Sequence, residues 1–194
     1  MIRLLLLALL CFAPLAHGEG YRIYQIEITK QKLDELGFGW MDPQTGSGMS
    51  DKPKAVKELL AVIGQDGVTL RAFADLEKID ENLWQLDETH LVHYPAKVSE
   101  TGEILETEER RVGVFASVEK EDEHNQIACI KATFRHVRLN SWVPFPNAPS
   151  HYNPIFSTNE TISDICIQHA VVIGGLTREN SQTLIVIERT TADQ

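Results

Sequence analysis

The sequence predicts an α+β domain, mostly antiparallel β-sheet or sandwich with one packed helix. Three observations carry that prediction. A single convincing helical stripe occurs, in "DKPKAVKELLAVIG". From Gly67 onward the chain reads almost wholly as strands and turns. Those strands also follow one another without the intervening helices that a parallel sheet requires.

The elements follow in order. Residues 1–18 read as an export signal: Arg3 is its positive charge, "LLLLALLCFAPLA" its short apolar core, and Ala16-His17-Gly18 a small-x-small cleavage site. Cys11 lies inside that core and is discarded with it, which leaves residues 19–194 as one domain. "YRIYQIEITK" alternates β-formers with polar residues and predicts the first strand, and "QKLDELGFGWM" a short helical turn ended by Gly37. "DPQTGSGMS" is a flexible loop.

In the main helix Asp51 is the cap, Pro53 sits in the first turn, and Val56, Leu59, Leu60 and Ile63 form the apolar stripe that Gly64 ends. The strand candidates after it are "VTLRAFADLEKI", "LWQLDETHLVHY", "RRVGVFASVEK", "QIACIKATFRHVRL", "ETISDICIQ", "AVVIGGL" and "QTLIVIERT". The acidic "SETGEILETEE" and the Pro- and Asn-rich "VPFPNAPSHYNP" read as connections between them.

Charge excludes whole classes of partner. The full sequence carries a net charge of -10, and loss of Arg3 with the leader makes it one unit more negative. Such a domain has no electrostatic reason to bind nucleic acid or an anionic membrane surface. No run after the leader is apolar and long enough to cross a bilayer as a helix.

Catalytic and cofactor patterns are missing. Gly174-Gly175 is followed by "LTRENSQ" and another strand, not by Lys-Ser/Thr or a helix N-terminus, so it predicts a hairpin rather than a phosphate loop. "TGSGMSD" brings glycines up to a helix start but lacks the lysine. His90 and His93, three apart on a strand, point to opposite faces and do not converge on a metal. No G-x-S-x-G elbow or Ser/His/Asp arrangement occurs, and the carboxylates of "ETEE" read as a solvated face. Asn159 opens an "NET" glycosylation acceptor. Neither an enzyme nor a cofactor is expected.

Two features leave alternatives open. Cys129 and Cys166 both fall on the more polar face of a strand, where neighbouring antiparallel strands bring them within bridging distance; they are read either as a disulfide or as two separate half-buried thiols. Tyr24, Trp40, Trp84, Trp142 and Phe145 are read either as core and loop packing or as the lining of a ligand groove.

Taken in order, several stretches resemble the secretin domain of type II and III secretion and type IV pilus systems. "YQIEITKQKLDELGFGW" matches the opening of that domain and includes Leu36, Gly37 and Trp40. Val112, Gly113 and Val114 resemble its "V-G-V" strand, and "PIFSTNETISDI" its "P-x-F" segment. Val172, Ile173, Gly174, Gly175 and Leu176 match its "vviGGL".

The segment that follows "GGL" in the family, which helps form a membrane-embedded lip, is here only "TRENSQ", and the family's N-terminal ring-building domains are absent. The resemblance implies a sheet of secretin type in a reduced, secretin-like, non-enzymatic envelope protein. Such a protein is exported to the periplasm or the outer membrane and pairs strands with itself or a full-length secretin, with no obvious means of inserting in the outer membrane. The alternative is a stand-alone periplasmic β-domain that binds a ligand or polymer through its aromatics.

Overall fold

Apolar residues at alternate positions, and in two places at consecutive ones, decide how the strands stack. The computed structural model describes residues 18–38, 49–50 and 53–190; the remaining residues, and the side chains at 49–50, 53–55, 175 and 176, lie outside the description. In chain order the elements are β1 (Gly20–Thr29), α1 (Lys30–Glu35), β2 (Met49–Ser50), α2 (Pro53–Ala61), β3 (Val68–Asp75), β4 (Glu77–Asp80), β5 (Leu83–Val98), β6 (Ile104–His124), β7 (Ile127–Phe145), β8 (Ala148–Ile167), β9 (Ala170–Thr177) and β10 (Ser181–Thr190).

They form two five-stranded sheets, ordered β2-β9-β10-β1-β3 and β4-β5-β6-β7-β8. Every neighbouring pair is antiparallel. The predicted β-rich antiparallel sandwich is therefore present, with few helices.

The inner core lies between the sheets. Tyr21, Ile23, Ala74, Ile185 and Ile187 from the first sheet meet Trp84, Ala116, Val118, Ile130, Phe134 and Ile165 from the second. The opposite parity of the first sheet, Ile26, Ile28, Leu184, Val186 and Val172, packs under Leu33 of α1 and Val56 and Leu59 of α2. This double burial explains "TLIVI": Thr183–Ile187 are buried without a break because β10 is central and covered on both faces. Val56 and Leu59 of the predicted stripe are buried, with Leu60 and Ile63 partly so. The helical region ends at Gly64, in the left-handed region at φ 85°. Gly37, at φ 74°, closes α1 in the same way. The leader, Cys11, Trp40, the "DPQTGSG" loop and the Asp51 cap lie outside the described residues.

Three expectations are corrected. "VTLRAFADLEKI" is not one strand: it breaks at Leu76 into β3 and β4, which belong to different sheets, so this segment is where the chain crosses the sandwich. "SETGEILETEE" is a turn at Ser99–Glu103 followed by the start of β6. "VPFPNAPSHYNP" is the end of β7, a two-residue turn at Pro146 and Asn147, and the start of β8. The predicted β9–β10 hairpin is present, with Gly174-Gly175 inside β9, as the strand candidate "AVVIGGL" has them. Gly174 pairs with Leu184 inside β9, a register shift falls between Gln182 and Leu184, and the chain reverses at Arg178–Asn180. The glycines thus sit at a bulge, where a missing side chain eases the local kink.

Candidate assembly site

The second sheet is much longer than the first. Strands β6, β7 and β8 have 21, 19 and 20 residues, against 10 in β10. At roughly 3.3 Å per residue the long strands run about 60–70 Å and β10 about 33 Å. About half of each therefore overhangs the sandwich.

Within the overhang the sheet divides. Pairing of β6 with β7 starts at His124–Ile127 and stops at Gly113–Val137. Pairing of β5 with β6 continues to Val98–Ile104, and that of β7 with β8 to Phe145–Ala148. The result is two projecting hairpins, β5–β6 and β7–β8, that part at Gly113. This glycine has φ 126°, and a Cβ there would run into the Glu88 carbonyl oxygen, so the parting point accepts no side chain.

Beyond it the hairpins lie against each other. Tyr94 and Phe156 meet with ring centroids 5.6 Å apart, the Arg110 guanidinium sits 4.9 Å above the Phe156 ring, and Arg110 Nη2 donates to Thr158 Oγ1 at 2.8 Å. A Cβ on Gly102, in the first hairpin's turn, would stand 4.0 Å from His151 Cε1 of the second.

At the β6–β7 turn, the end of the long sheet away from the hairpin tips, a polar cluster ties it to the first sheet. Arg189 is 6% exposed and donates to Glu123 Oε1 at 2.5 Å and to the Gln126 carbonyl at 2.9 Å. Its Nε lies 2.6 Å from Glu19 Oε1, close enough to attract electrostatically, but the N–H is not aligned for a hydrogen bond. Glu19 also accepts from Lys120 Nζ at 2.7 Å and Tyr21 OH at 2.9 Å, while its carbonyl accepts from Trp84 Nε1 at 3.0 Å.

Burial opposes ionisation of Glu19, yet the Lys120 and Tyr21 hydrogen bonds and the Arg189 and Lys120 charges outweigh it and hold the carboxyl below its ordinary value. The same burial and the adjacent Glu19 carboxylate push the Tyr21 phenol far up. A second tie joins β7 to β1, where His136 Nδ1 meets Gln25 Oε1 at 2.6 Å. Burial, and then the Arg138 charge, lower the affinity of this imidazole for a proton.

The structure scatters most of the residues singled out from sequence. Leu36 and Phe38 pack at the edge of the outer core, which Val172 also enters, while Ile173 faces the inner core. Val112 and Val114 flank the parting point in β6, and Gly113 makes it. Cys129 and Cys166 are directly opposed on β7 and β8 and joined by a disulfide, on the face away from the core. His90 and His93 pair with Val112 and Glu109 on successive faces of β5. Among the described residues no group of three or more His, Cys, Asp or Glu is placed to hold a metal.

The described aromatics do not share a groove: Trp84 is core, Tyr24 lies half-buried against Phe73, and Trp142 is exposed in the overhang. A shallow cavity of about 460 Å³ beside α2, lined by Val56, Lys57, Leu60, His169, Ala170 and Glu188, includes none of them.

Sequence reasoning missed Glu19, Lys120, Glu123 and Arg189. A signal was present for one of them, because Arg189 continues the inward parity of Ile185 and Ile187. Comparison with family models, with characterised proteins and with solved structures finds no match to this chain.

Proposed function

We propose that the protein is a non-enzymatic, secretin-like envelope component that works by strand association, with copies of itself or with a full-length secretin, in a type II secretion or type IV pilus-like system. One observation carries this reading. The long sheet ends in strands with open edges: among the described residues nothing pairs with the outer edge of β8, or with that of β5 beyond Gln85.

The number of long strands makes those edges complementary. Strands β5 to β8 alternate in direction, so β5 and β8 run opposite ways, and the β5 of a second copy laid beside β8 continues the antiparallel pattern. Such a contact repeats head to tail and closes into a ring if the rotation between copies allows. The usable stretches are free of proline and of the Tyr94–Phe156 contact: Ser157–Ile167 on β8 and Leu86–His93 on β5. Exposed Ile162 on β8 and Leu91 on β5 add apolar surface to them.

The oligomeric state of residues 19–194, by light scattering and electron microscopy, tests the reading. A ring or large assembly is expected, and it should grow with added salt, because the chain is acidic and self-repulsion is screened. A strictly monomeric protein that never co-purifies with a secretin sinks it.

A further inference from the structure

The export leader and the folded domain meet at one peptide bond. The small-x-small pattern Ala16-His17-Gly18 puts cleavage between Gly18 and Glu19. Gly18 is exposed, and a Cβ on it would meet nothing within 4 Å among the described residues. The three residues that follow are held. The Glu19 side chain is 18% exposed, its carboxylate bonded to Lys120 and Tyr21 and paired with Arg189, and its carbonyl bonded to Trp84 Nε1. Gly20 stands opposite Thr190 in the β1–β10 ladder, where a Cβ would come within 2.8 Å of Thr190 Oγ1. Tyr21 is fully buried, its ring 4.8 Å from that of Trp84, and its carbonyl accepts from the Leu76 N–H at 3.0 Å.

Proteolysis acts on exposed or locally opened chain. A peptidase cleft that takes the Gly18–Glu19 bond must also take residues on its downstream side. Glu19, Gly20 and Tyr21 cannot lie in that cleft and in the polar cluster, the ladder and the core at once.

We propose that the closed domain masks its own processing site, so that a signal peptidase removes the leader only from chains whose Glu19 is out of the cluster and whose β1 has not paired with β10. The step is hydrolysis: water adds to the Gly18 carbonyl carbon, the bond to the Glu19 nitrogen breaks, and that nitrogen leaves as an amine that takes up a proton. Order decides the product. Cut first, the domain is released; closed first, it keeps the apolar "LLLLALLCFAPLA" and stays tethered by it. The inference rests on the leader reading of residues 1–18 and uses nothing from the assembly reading.

The test is delayed proteolysis of residues 1–194. The chain is unfolded in urea and diluted into detergent buffer, signal peptidase is added after increasing delays, and the cut is located by mass spectrometry. A synthetic peptide of residues 10–25 runs beside it and should be cut at Gly18–Glu19 at every delay. The chain should match the peptide at the shortest delay and be cut about 100-fold or more slowly once folded, because reaching the bond then opens at least two charge-assisted hydrogen bonds. Protection should grow at the rate at which tryptophan fluorescence reports folding. Lys120→Gln, with strand content unchanged by circular dichroism, should speed cutting of the folded chain about tenfold. Three outcomes overturn the proposal: the folded chain is cut as fast as the peptide; Lys120→Gln is as protected as wild type; or the peptide is not cut at this bond, which removes the leader reading as well.

Discussion

The two projecting hairpins start from the same sheet, part at the same glycine and touch almost to their ends, yet one is crowded with carboxylates and the other has none over its final residues. Backbone pairing and the Tyr94–Phe156 and Arg110–Phe156 contacts set their shape, since neither core cluster extends into them. Side-chain chemistry is therefore free to differ: carboxylates crowd β5–β6 around exposed Ile104 and Leu105, whereas the end of β7–β8 carries none. A fold can hold two elements to one geometry while giving them opposite surfaces.

The sharpest way to break the comparison is at the parting point. Gly113→Ala puts a methyl group into the Glu88 carbonyl at a φ that side chains rarely adopt, and should cost about 3 kcal/mol or more in a denaturant titration. A loss below about 1 kcal/mol would mean that the strands rearrange easily there.

Next in size is a feature that only β7–β8 has. Replacing Cys129 and Cys166 together with Ser opens a loop with a sequence separation of 37 and should lower stability by about 2–4 kcal/mol. The same loss should follow reduction of the wild type, and free thiols in the oxidised protein would refute it.

The contact between the hairpins is weaker. A double-mutant cycle on Tyr94→Ala and Phe156→Ala should give a coupling of about 0.5–1.5 kcal/mol. A coupling near zero would show that they move independently in solution.

Acid should act first at the β6–β7 end of the long sheet, away from both tips. The Glu19 and Glu123 carboxyls are both held below the ordinary 4.5, so the stability they add is complete above that pH and is lost as pH falls through their lowered values. Glu19→Gln should flatten the acid limb of a stability-against-pH curve, and an unchanged limb counts against the cluster. The smallest effect belongs to the solvated hairpin: Glu109→Gln, whose carboxylate lies beside exposed His93, should change stability by less than about 0.5 kcal/mol.

How much of this was legible followed burial. Strands that face the core announce themselves, as in "QIACIKATF", where Ala128, Ile130, Ala132 and Phe134 alternate with polar residues and are all buried. The overhangs have no buried face, so nothing selects an alternating pattern. "EILETEE" looked like a charged loop for that reason, and "VPFPNAPSHYNP" looked like one because proline is normally kept out of paired strands.

The double glycine was legible in part: the strand runs on either side predict its hairpin, but only the register of β9 against β10 shows that it sits at a bulge. The polar cluster was the hardest to foresee, since Glu19 and Arg189 are neighbours only because the first and last strands of the chain pair.

That pairing also dictates an order of events. Gly20 stands opposite Thr190, and the whole long sheet lies between them in the sequence, so the first sheet cannot be finished until the final strand is available. The long hairpins join neighbours in sequence and can form at once, at little cost in loop closure; the β1–β10 ladder must close almost the entire chain. A polypeptide built this way keeps its first sheet open, however early the long hairpins form, until Ser181–Thr190 is in place.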